Sequence, residues 1–120
     1  MKLKRTGQTI ANQVEIMRSA AENARGMLKF DKAPQSYAAV FVLSLFGVLP
    51  IVHTYGMRFP IDLVLCDSRG RILYLKRDVA PGQLVIPWKY LVGGCRYLVE
   101  FSGAQTSGLD LGDELVWGAA

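Results

Sequence analysis

The chain has 120 residues, of which 51% are apolar and 20% are charged, and its formal net charge is +4. This length fits one domain with a core of its own, and this composition excludes an intrinsically disordered chain. Apart from Lys2, Lys4 and Arg5, the basic residues are scattered among acidic ones. The sequence has no long basic stripe, which argues against nucleic acid as a partner.

The N-terminal part carries two conflicting patterns. Apolar residues from Ile10 to Leu28 recur at helical spacing, which is typical of one continuous helix. Ser19 to Glu22 has the sequence SAAE, a capping box, so a helix is expected to begin there. We therefore predict a short strand that contains Val14 and Ile16 and a helix from about Ala20 to Leu28, with the continuous helix as the alternative.

A stretch without a single charge runs from Tyr37 to Val52. A membrane-spanning helix needs about 20 apolar residues, and Gly47 and Pro50 interrupt this shorter run. Its β-branched and aromatic residues favour two buried strands around a turn. We therefore predict strands here and expect no transmembrane segment.

Alternating apolar residues predict further strands. The alternation predicts one strand from Ile61 to Cys66, in which Asp62 shares a face with Val64. The sequence DSRG, Asp67 to Gly70, has the chemistry of a hairpin turn, and Arg71 to Lys76 is expected to pair antiparallel with the preceding strand. Other strands are predicted at Cys95 to Phe101 and from about Glu114 to Trp117, with at most a short edge strand at Leu84 to Ile86.

Short strands separated by Gly, Pro and Asp predict a mostly β (α+β) fold. We expect a compact, mainly antiparallel curled sheet or small barrel with one short N-terminal helix. Residues 1–13 are expected to form a basic N-terminal segment that is partly ordered, and residues 14–120 a single β-rich domain.

Cys66 and Cys95 are the two cysteines, and His53 is the single histidine. Neither cysteine lies in a CxxC pair or near a second histidine, so the sequence predicts no zinc-type metal site, and we expect no cofactor. Alternation with apolar residues favours buried thiols over a reactive nucleophile. The basic opening is not followed by the apolar run of a secretory signal, so we expect a cytoplasmic protein with reduced thiols.

Polar candidates are concentrated in residues 53–71. His53 is suited to proton transfer because imidazole titrates near neutrality, although a histidine satisfied by one hydrogen bond at a strand end is favoured. Asp62 lies inside an apolar strand, so we expect it to face solvent or to be bound by an arginine or by backbone amides. Structural capping is favoured over catalysis, because an unpaired buried carboxylate is costly.

Two further groups of residues have functional interpretations. The arginines suit an anion site only if they converge in space, because each guanidinium fork fits a carboxylate or a phosphate. Three aromatic residues near the proline loop either line a groove or close one end of the fold. The arginines are Arg25, Arg58, Arg69, Arg71 and Arg96, and the aromatic residues are Trp88, Tyr90 and Tyr97.

Five short motifs in order resemble a known family. They are RGML at Arg25–Leu28, HTYGMRFPID at His53–Asp62, DSRGRIL at Asp67–Leu73, VAP at Val79–Pro81 and LGDEL at Leu111–Leu115. The set resembles the uncharacterised prokaryotic family called domain of unknown function 192, from about residue 14 to the C-terminus. The resemblance implies a compact β-rich domain with a short helix after its first strand, and no established activity. The apolar run before His53 departs from the more polar segment of many relatives, so the pairing of residues 38–52 stays open.

The residue chemistry and this resemblance together give two sets of positions. The candidate ligand-binding residues are Arg25, His53, Thr54, Met57, Arg58 and Asp62. The structural signature falls on Gly26, Gly56, Pro60, Asp67, Gly70, Pro81, Gly112 and Asp113.

Two functions fit these observations. The first is a non-catalytic binding or accessory module whose loops, His53–Arg58 and Trp88–Tyr90, hold a small ligand, a peptide or a partner protein. It is favoured because no nucleophile and base stand at a recognisable spacing. Some relatives in the resembled family are encoded beside pilus-assembly or secretion components, which implies an accessory role. The alternative is a small-molecule enzyme that uses His53 and Asp62 with Arg25 or Arg58 as an anion clamp. We expect a monomer or a weak homo-oligomer.

Overall fold

The computed structural model describes residues 1–18, 26–43, 51–90, 94–102 and 104–118. The strands of these segments are β1 (Lys2–Leu3), β2 (Gln13–Met17), β3 (Tyr37–Val42), β4 (Val52–His53), β5 (Ile61–Cys66), β6 (Ile72–Val79), β7 (Leu84–Val85), β8 (Tyr97–Ser102) and β9 (Leu115–Val116). Short 3₁₀ helices lie at Gly26–Lys29, Trp88–Tyr90 and Ala104–Thr106.

A five-stranded sheet with the strand order β2-β3-β8-β5-β6 forms the centre of the fold. β2 and β3 are parallel, whereas the other neighbours in this sheet are antiparallel. β1 pairs with β9 and β4 pairs with β7 in separate two-stranded sheets. The mostly β, mainly antiparallel prediction is confirmed, and Val14 and Ile16 lie in a strand and not in a continuous helix.

Both faces of the central sheet are covered by apolar side chains. Successive residues of a strand point to opposite faces, so Leu63 and Leu98 contribute to one cluster, which we call the first core. Val64 and Val99 contribute to the cluster on the other face, which we call the second core. All six residues of β5 are buried. The near-continuous apolar character of this strand therefore reflects burial on two faces.

Two finer predictions about the architecture are not confirmed. The sheet is not a closed barrel: within the described residues its edge strands, β2 and β6, each pair on one side only, and the two cores cover an open sheet. The short N-terminal helix is also not found. The capping box and residues 20–25 lie outside the described residues, Gly26–Lys29 is a 3₁₀ turn, and no helix of seven or more residues occurs in the described segments.

The described part of the apolar run from Tyr37 to Val52 forms strands. β3 lies between β2 and β8, whereas β4 pairs with β7, so the two predicted strands do not pair with each other. Residues 44–50, which include the predicted turn, lie outside the described residues. In the segments that the structure describes, no helix has the length and apolar character to cross a membrane.

The first thirteen residues contact the second core. Leu3 lies in β1, and Leu3, Ile10 and Ala11 are all buried there. The N-terminal ammonium of Met1 donates a hydrogen bond of 2.8 Å to the carbonyl oxygen of Ala11. These contacts place the start of the chain beside β9, near its C-terminal end.

The predicted DSRG hairpin turn joins β5 to β6. Asp67 Oδ1 accepts hydrogen bonds from the N–H groups of Arg69 and Arg71, at 2.9 and 3.0 Å. Gly70 has a φ of +82°, and a Cβ atom at this position would collide with the carbonyl oxygen of Leu115. Both the backbone conformation and the close approach of Leu115 therefore require glycine.

We expect Gly70→Ala to lower the free energy of unfolding by about 2–4 kcal/mol, because alanine adds positive-φ strain and a steric clash. Gly7→Ala is the matched control, since Gly7 has a φ of +75° and nothing lies within 4 Å of its Cβ position. The control variant adds only the positive-φ strain, which is expected to lower the free energy of unfolding by about 1 kcal/mol. Urea unfolding of both variants measures the difference, and equal losses would show that the approach of Leu115 imposes no constraint.

Candidate functional site

His53 ends β4, and its side chain is exposed. It lies opposite Leu84 of β7 in the strand register. Its ring stacks on the ring of Tyr55, with centroids 5.3 Å apart and an interplanar angle of 21°. In the described part of the chain no side chain forms a hydrogen bond with the imidazole. The histidine therefore belongs to an exposed surface and not to a buried polar network.

Thr54 holds the following loop in place. Its side chain is fully buried, and Oγ1 donates to the carbonyl oxygen of Ala80 at 2.7 Å and accepts from the N–H of Gln83 at 2.8 Å. Its carbonyl oxygen accepts from the N–H of Gly82 at 3.0 Å. Thr54 thus joins the loop of residues 80–83, which includes the signature residue Pro81, to the end of β4.

Of the next candidate residues in the chain, Met57 lies in the core and Arg58 lies on the surface. Met57 is buried in the first core. Arg58 is exposed and forms an ion pair with Asp31, which is also exposed. Exposed pairs of this kind contribute little to stability. Gly56, with a φ of +81°, turns the chain between these environments, and Pro60 lies exposed just before β5.

Asp62 is 4% exposed, and its carboxylate binds a backbone N–H group at a bulge in the sheet. Ile61 pairs with Val79 and Leu63 pairs with Lys76, so β6 has one extra residue opposite Asp62. Asp62 Oδ1 accepts a hydrogen bond of 2.8 Å from the N–H of Asp78, one of the two β6 residues that lie opposite Asp62 at the bulge. The geometry is that of a structural cap for a backbone amide.

The second oxygen of Asp62 joins a wider network. Thr106 Oγ1 donates to Asp62 Oδ2 at 2.6 Å. Arg77 Nε donates to the same Thr106 hydroxyl at 3.1 Å, and its guanidinium also donates to the carbonyl oxygens of Thr106 and Leu109, each at 2.8 Å. This network fastens residues 104–109 to the bulge, and it uses both carboxylate oxygens of Asp62.

The structure does not bring the predicted polar pair together. His53 is exposed on β4, whereas Asp62 is buried under β6 and residues 104–109, and no hydrogen bond or ion pair joins them. Arg25 lies outside the described residues. The other arginines have separate surroundings: Arg58 pairs with Asp31, Arg69 and Arg71 are exposed at the hairpin, and Arg96 donates to the carbonyl oxygen of Leu43 at 3.2 Å.

Two cavities lie away from His53. One, of about 340 Å³, is lined by Arg69, Tyr97 and Trp117 among others, and the rings of Tyr97 and Trp117 meet edge to face at 5.1 Å. The other, of about 450 Å³, is lined by Arg77 and Tyr90 among others. Tyr90 and Tyr97 therefore line different cavities, and the exposed Trp88 lines neither of them. Neither of these two cavities brings the three aromatic residues together, so they give no support to the alternative in which these residues line one groove.

Glu100 is a buried ionisable residue that the sequence analysis did not single out. It lies in β8, between Ala39 of β3 and Leu63 of β5, and it is 8% exposed. No described residue donates a hydrogen bond to its carboxyl group. Burial raises the pKa of Glu100 to about 7. One signal was present in the sequence, since Glu100 shares a strand face with the apolar Leu98.

A polar cluster lies on the same face, two strands away. The buried Tyr37 donates its hydroxyl hydrogen to Glu15 Oε1 at 2.8 Å. Lys29 Nζ donates to the two oxygens of Glu15, at 2.5 and 2.7 Å. The hydrogen bond from Lys29, with that from Tyr37, holds the pKa of Glu15 below its usual value. Burial, with the neighbouring glutamates Glu15 and Glu100, raises the pKa of Tyr37.

A family model described as "Uncharacterized ACR, COG1430", DUF192, matches residues 1–117. The chain belongs to the DUF192 family. The resemblance seen in the motifs is thereby confirmed. DUF192 is an uncharacterised family, so membership assigns no activity to the positions described above. No curated protein matches the chain at a significant level.

Two solved structures share the fold of this DUF192 chain. A protein of unknown function from Novosphingobium aromaticivorans DSM 12444 superimposes with a TM-score of 0.71 at 17% identity, over 87% of this chain and 74% of that one. A protein from Sinorhizobium meliloti 1021, described as a candidate transcription regulator, gives a TM-score of 0.69 at 16% identity, over 84% and 78% of the two chains. At these identities the likeness shows the fold alone.

We expect Thr54→Val to destabilise the DUF192 protein by about 1–3 kcal/mol, because the N–H of Gln83 loses its Oγ1 acceptor inside the fold. Thr54→Ser keeps the hydroxyl group and is expected to retain most of the stability. Thermal and urea unfolding of both variants measure the loss. If valine and serine behaved alike, the hydroxyl group would not be what holds the loop.

Glu100 gives the protein a pH-dependent stability. The folded state keeps the carboxyl group protonated up to about pH 7, whereas the unfolded chain releases the proton near 4.5. The folded state therefore binds the extra proton between these values, and stability falls as the pH rises through them. We expect Glu100→Gln to be more stable than the native protein at pH 8 by about 1–3 kcal/mol and nearly equal at pH 4.

Urea unfolding at a series of pH values tests this dependence. Glu114→Gln is the matched control, because Glu114 is paired with Lys4 at 3.1 Å and is partly exposed. Between pH 4.5 and 7, the unfolding free energy of the control should fall with pH as steeply as that of the native protein. A slope that persisted unchanged in Glu100→Gln would assign the pH dependence to another group.

Proposed function

We propose that this protein is a non-catalytic binding module that docks an apolar peptide segment of a partner protein on the surface around His53. The observation that carries the proposal is a group of exposed large apolar side chains. Leu28, Ile51, Tyr55 and Leu84 are each between 42% and 55% exposed. Contiguous apolar groups on a water-facing surface are typical of protein interaction sites.

Three of these side chains are placed near His53 by the contacts given next, and Ile51 precedes His53 by two residues in the chain. Leu84 is opposite His53 in the β4–β7 register, and the Tyr55 ring stacks on the imidazole. Leu28 reaches the same loop, since its Cδ2 atom lies 3.4 Å from the position that a Cβ atom of Gly56 would take. We call Leu28, Ile51, His53, Tyr55 and Leu84 the docking surface.

Hydrogen-bonded and buried residues hold the docking surface in a fixed conformation and form its support. Thr54, in the middle of it, is bonded to Ala80, Gly82 and Gln83. Val52 and Met57, on either side, are buried in the first core. A surface that is already ordered loses less conformational entropy when a partner binds. The support therefore favours a role in recognition.

The shape of the surface favours a peptide over a small molecule. Small ligands are bound in concave pockets, and the two cavities described above are lined by residues outside the docking surface. An extended segment with alternating apolar side chains can instead lie across exposed residues of a short two-stranded ribbon. The proposed partner segment is apolar, and its flanking charges are acidic because the chain carries +4.

The alternative function, a small-molecule enzyme, has less support from the geometry. Both oxygens of Asp62 accept hydrogen bonds inside the protein, and Arg58 is paired with Asp31. We also propose an accessory role in secretion or pilus assembly and a cytoplasmic location. The free thiols of Cys66 and Cys95 fit a reducing compartment.

Peptides selected by phage display on the full-length protein provide the test. We expect Leu84→Ser and Tyr55→Ser each to weaken the selected peptides about 10-fold or more, since central apolar contacts dominate such interfaces. Leu111→Ser is the matched control, because Leu111 is 66% exposed and lies outside the docking surface. Fluorescence polarisation measures the three affinities.

Two results would contradict the proposal. Equal weakening by Leu111→Ser would show that the peptides bind by general hydrophobicity. A dimer seen by sedimentation velocity and abolished by Leu84→Ser would assign the surface to a second copy of this chain.

A further inference from the structure

The cavity of about 340 Å³ lies at the end of the central sheet where β3 finishes and β8 begins. Ile16, Tyr97 and Trp117 line it, and each is partly buried against the second core. Its volume lies within the range of small-molecule sites, about 300–1,000 Å³. Ser68 and Val116 also line it and are exposed, so the cavity opens to solvent. The fold therefore provides a concave space with an apolar inner side and an entrance.

Two aromatic rings of this cavity are held in place by their neighbours. The rings of Tyr97 and Trp117 meet edge to face, with centroids 5.1 Å apart and an interplanar angle of 89°. Trp117 also reaches the hairpin turn, since its Cζ3 atom lies 3.5 Å from the position that a Cβ atom of Gly70 would take. The N–H of Leu115 donates to the carbonyl oxygen of Gly70 at 2.8 Å, which joins β9 to this turn. A ligand ring can therefore pack against rings that are already ordered.

The charged side chains that line the cavity are two arginines and one glutamate. Arg69 is exposed in the hairpin turn, and its guanidinium forms no hydrogen bond or ion pair with another described residue. Glu114 is already paired with Lys4, with 3.1 Å between Oε2 and Nζ. Arg18, which follows β2, adds a second positive charge to the lining. The cavity therefore has a net positive charge and favours an anion.

We propose that this cavity binds a small aromatic carboxylate, with its carboxylate on the Arg69 guanidinium and its ring against Tyr97 and Trp117. A planar carboxylate matches the guanidinium fork with two parallel hydrogen bonds. Aromatic rings also suit an organic cation, but the net positive charge of the lining repels one. The site shares no residue with the docking surface, so it does not depend on the function proposed for that surface.

Titration of 2-naphthoate into the full-length protein at pH 7, followed by NMR, tests the site. The chain has two tryptophans, Trp88 and Trp117, and their indole N–H signals are assigned with Trp88→Phe. We expect the Trp117 signal to shift saturably, with a Kd of about 1 mM or tighter, which ligands of about a dozen heavy atoms reach. The Trp88 signal should stay in place, because Trp88 does not line the cavity.

Arg69→Gln should weaken the binding of 2-naphthoate about 10-fold or more, because a hydrogen-bonded ion pair is lost. Arg71→Gln is the matched control. Arg71 is exposed in the same hairpin but does not line the cavity, so this variant should bind like the native protein. Both arginines are exposed, so both variants are expected to fold.

The remaining ligands separate the carboxylate from the ring. 2-Naphthylmethanol lacks the charge, 2-naphthylmethylamine reverses it, and acetate lacks the ring, so each should bind at least 10-fold more weakly than 2-naphthoate. N-Acetyl-L-tryptophan carries an aromatic ring and a carboxylate as the last residue of a peptide does. Tighter binding of it than of 2-naphthoate assigns the ligand to a peptide C-terminus, and weaker binding assigns it to a free acid.

The proposal is overturned if neither aromatic carboxylate shifts the Trp117 signal saturably. An equal loss of affinity in Arg69→Gln and Arg71→Gln would overturn it too, because the attraction would then be general to the basic hairpin. Unchanged affinity in Arg69→Gln, or equal binding of 2-naphthylmethylamine, would also contradict the carboxylate site.

Discussion

Burial of the central sheet on both faces is the constraint on which the rest of this structure depends. A polar side chain on an inner strand lies beneath an apolar core, and it needs a partner within the protein. Asp62 has two, the N–H of Asp78 and the hydroxyl of Thr106, and Ser102 donates to the carbonyl oxygen of Pro34. Glu100 has none among the described residues. The same burial that gives Asp62 and Ser102 their internal partners therefore raises the pKa of Glu100.

Local sequence patterns were sufficient to predict the strands and one turn. Alternation in residues 61–66 and 71–76, with Asp67 and Gly70 between them, predicted the β5–β6 hairpin, because turn chemistry and periodicity act over a few residues. The parallel pairing of β2 with β3 and the choice between an open sheet and a barrel were not predictable in this way. They depend on which distant strands meet at the sheet edges, and periodicity within one strand does not encode this.

The candidate site was predicted less well than the fold, for a related reason. The sequence HTYGMRFPID placed His53, Thr54, Met57 and Asp62 close together along the chain, but burial distributes them differently. Thr54 and Asp62 are buried and bonded to backbone groups, Met57 is in the first core, and His53 is exposed. Glu100 shares a strand face with the apolar Leu98 but also with the charged Arg96, so alternation alone did not decide whether that face is buried. Its burial depends on side chains from distant parts of the chain that form the first core.

The pKa of Glu100 is the property that most directly reports the burial of the sheet on both faces. Its side-chain carboxyl carbon can be followed by ¹³C NMR as a function of pH in the full-length protein without ligand. The structure predicts a titration midpoint of about 7. A midpoint near the usual glutamate value of 4.5 would show that this carboxyl group reaches water or an internal donor, and it would contradict the burial of the sheet on both faces at this position.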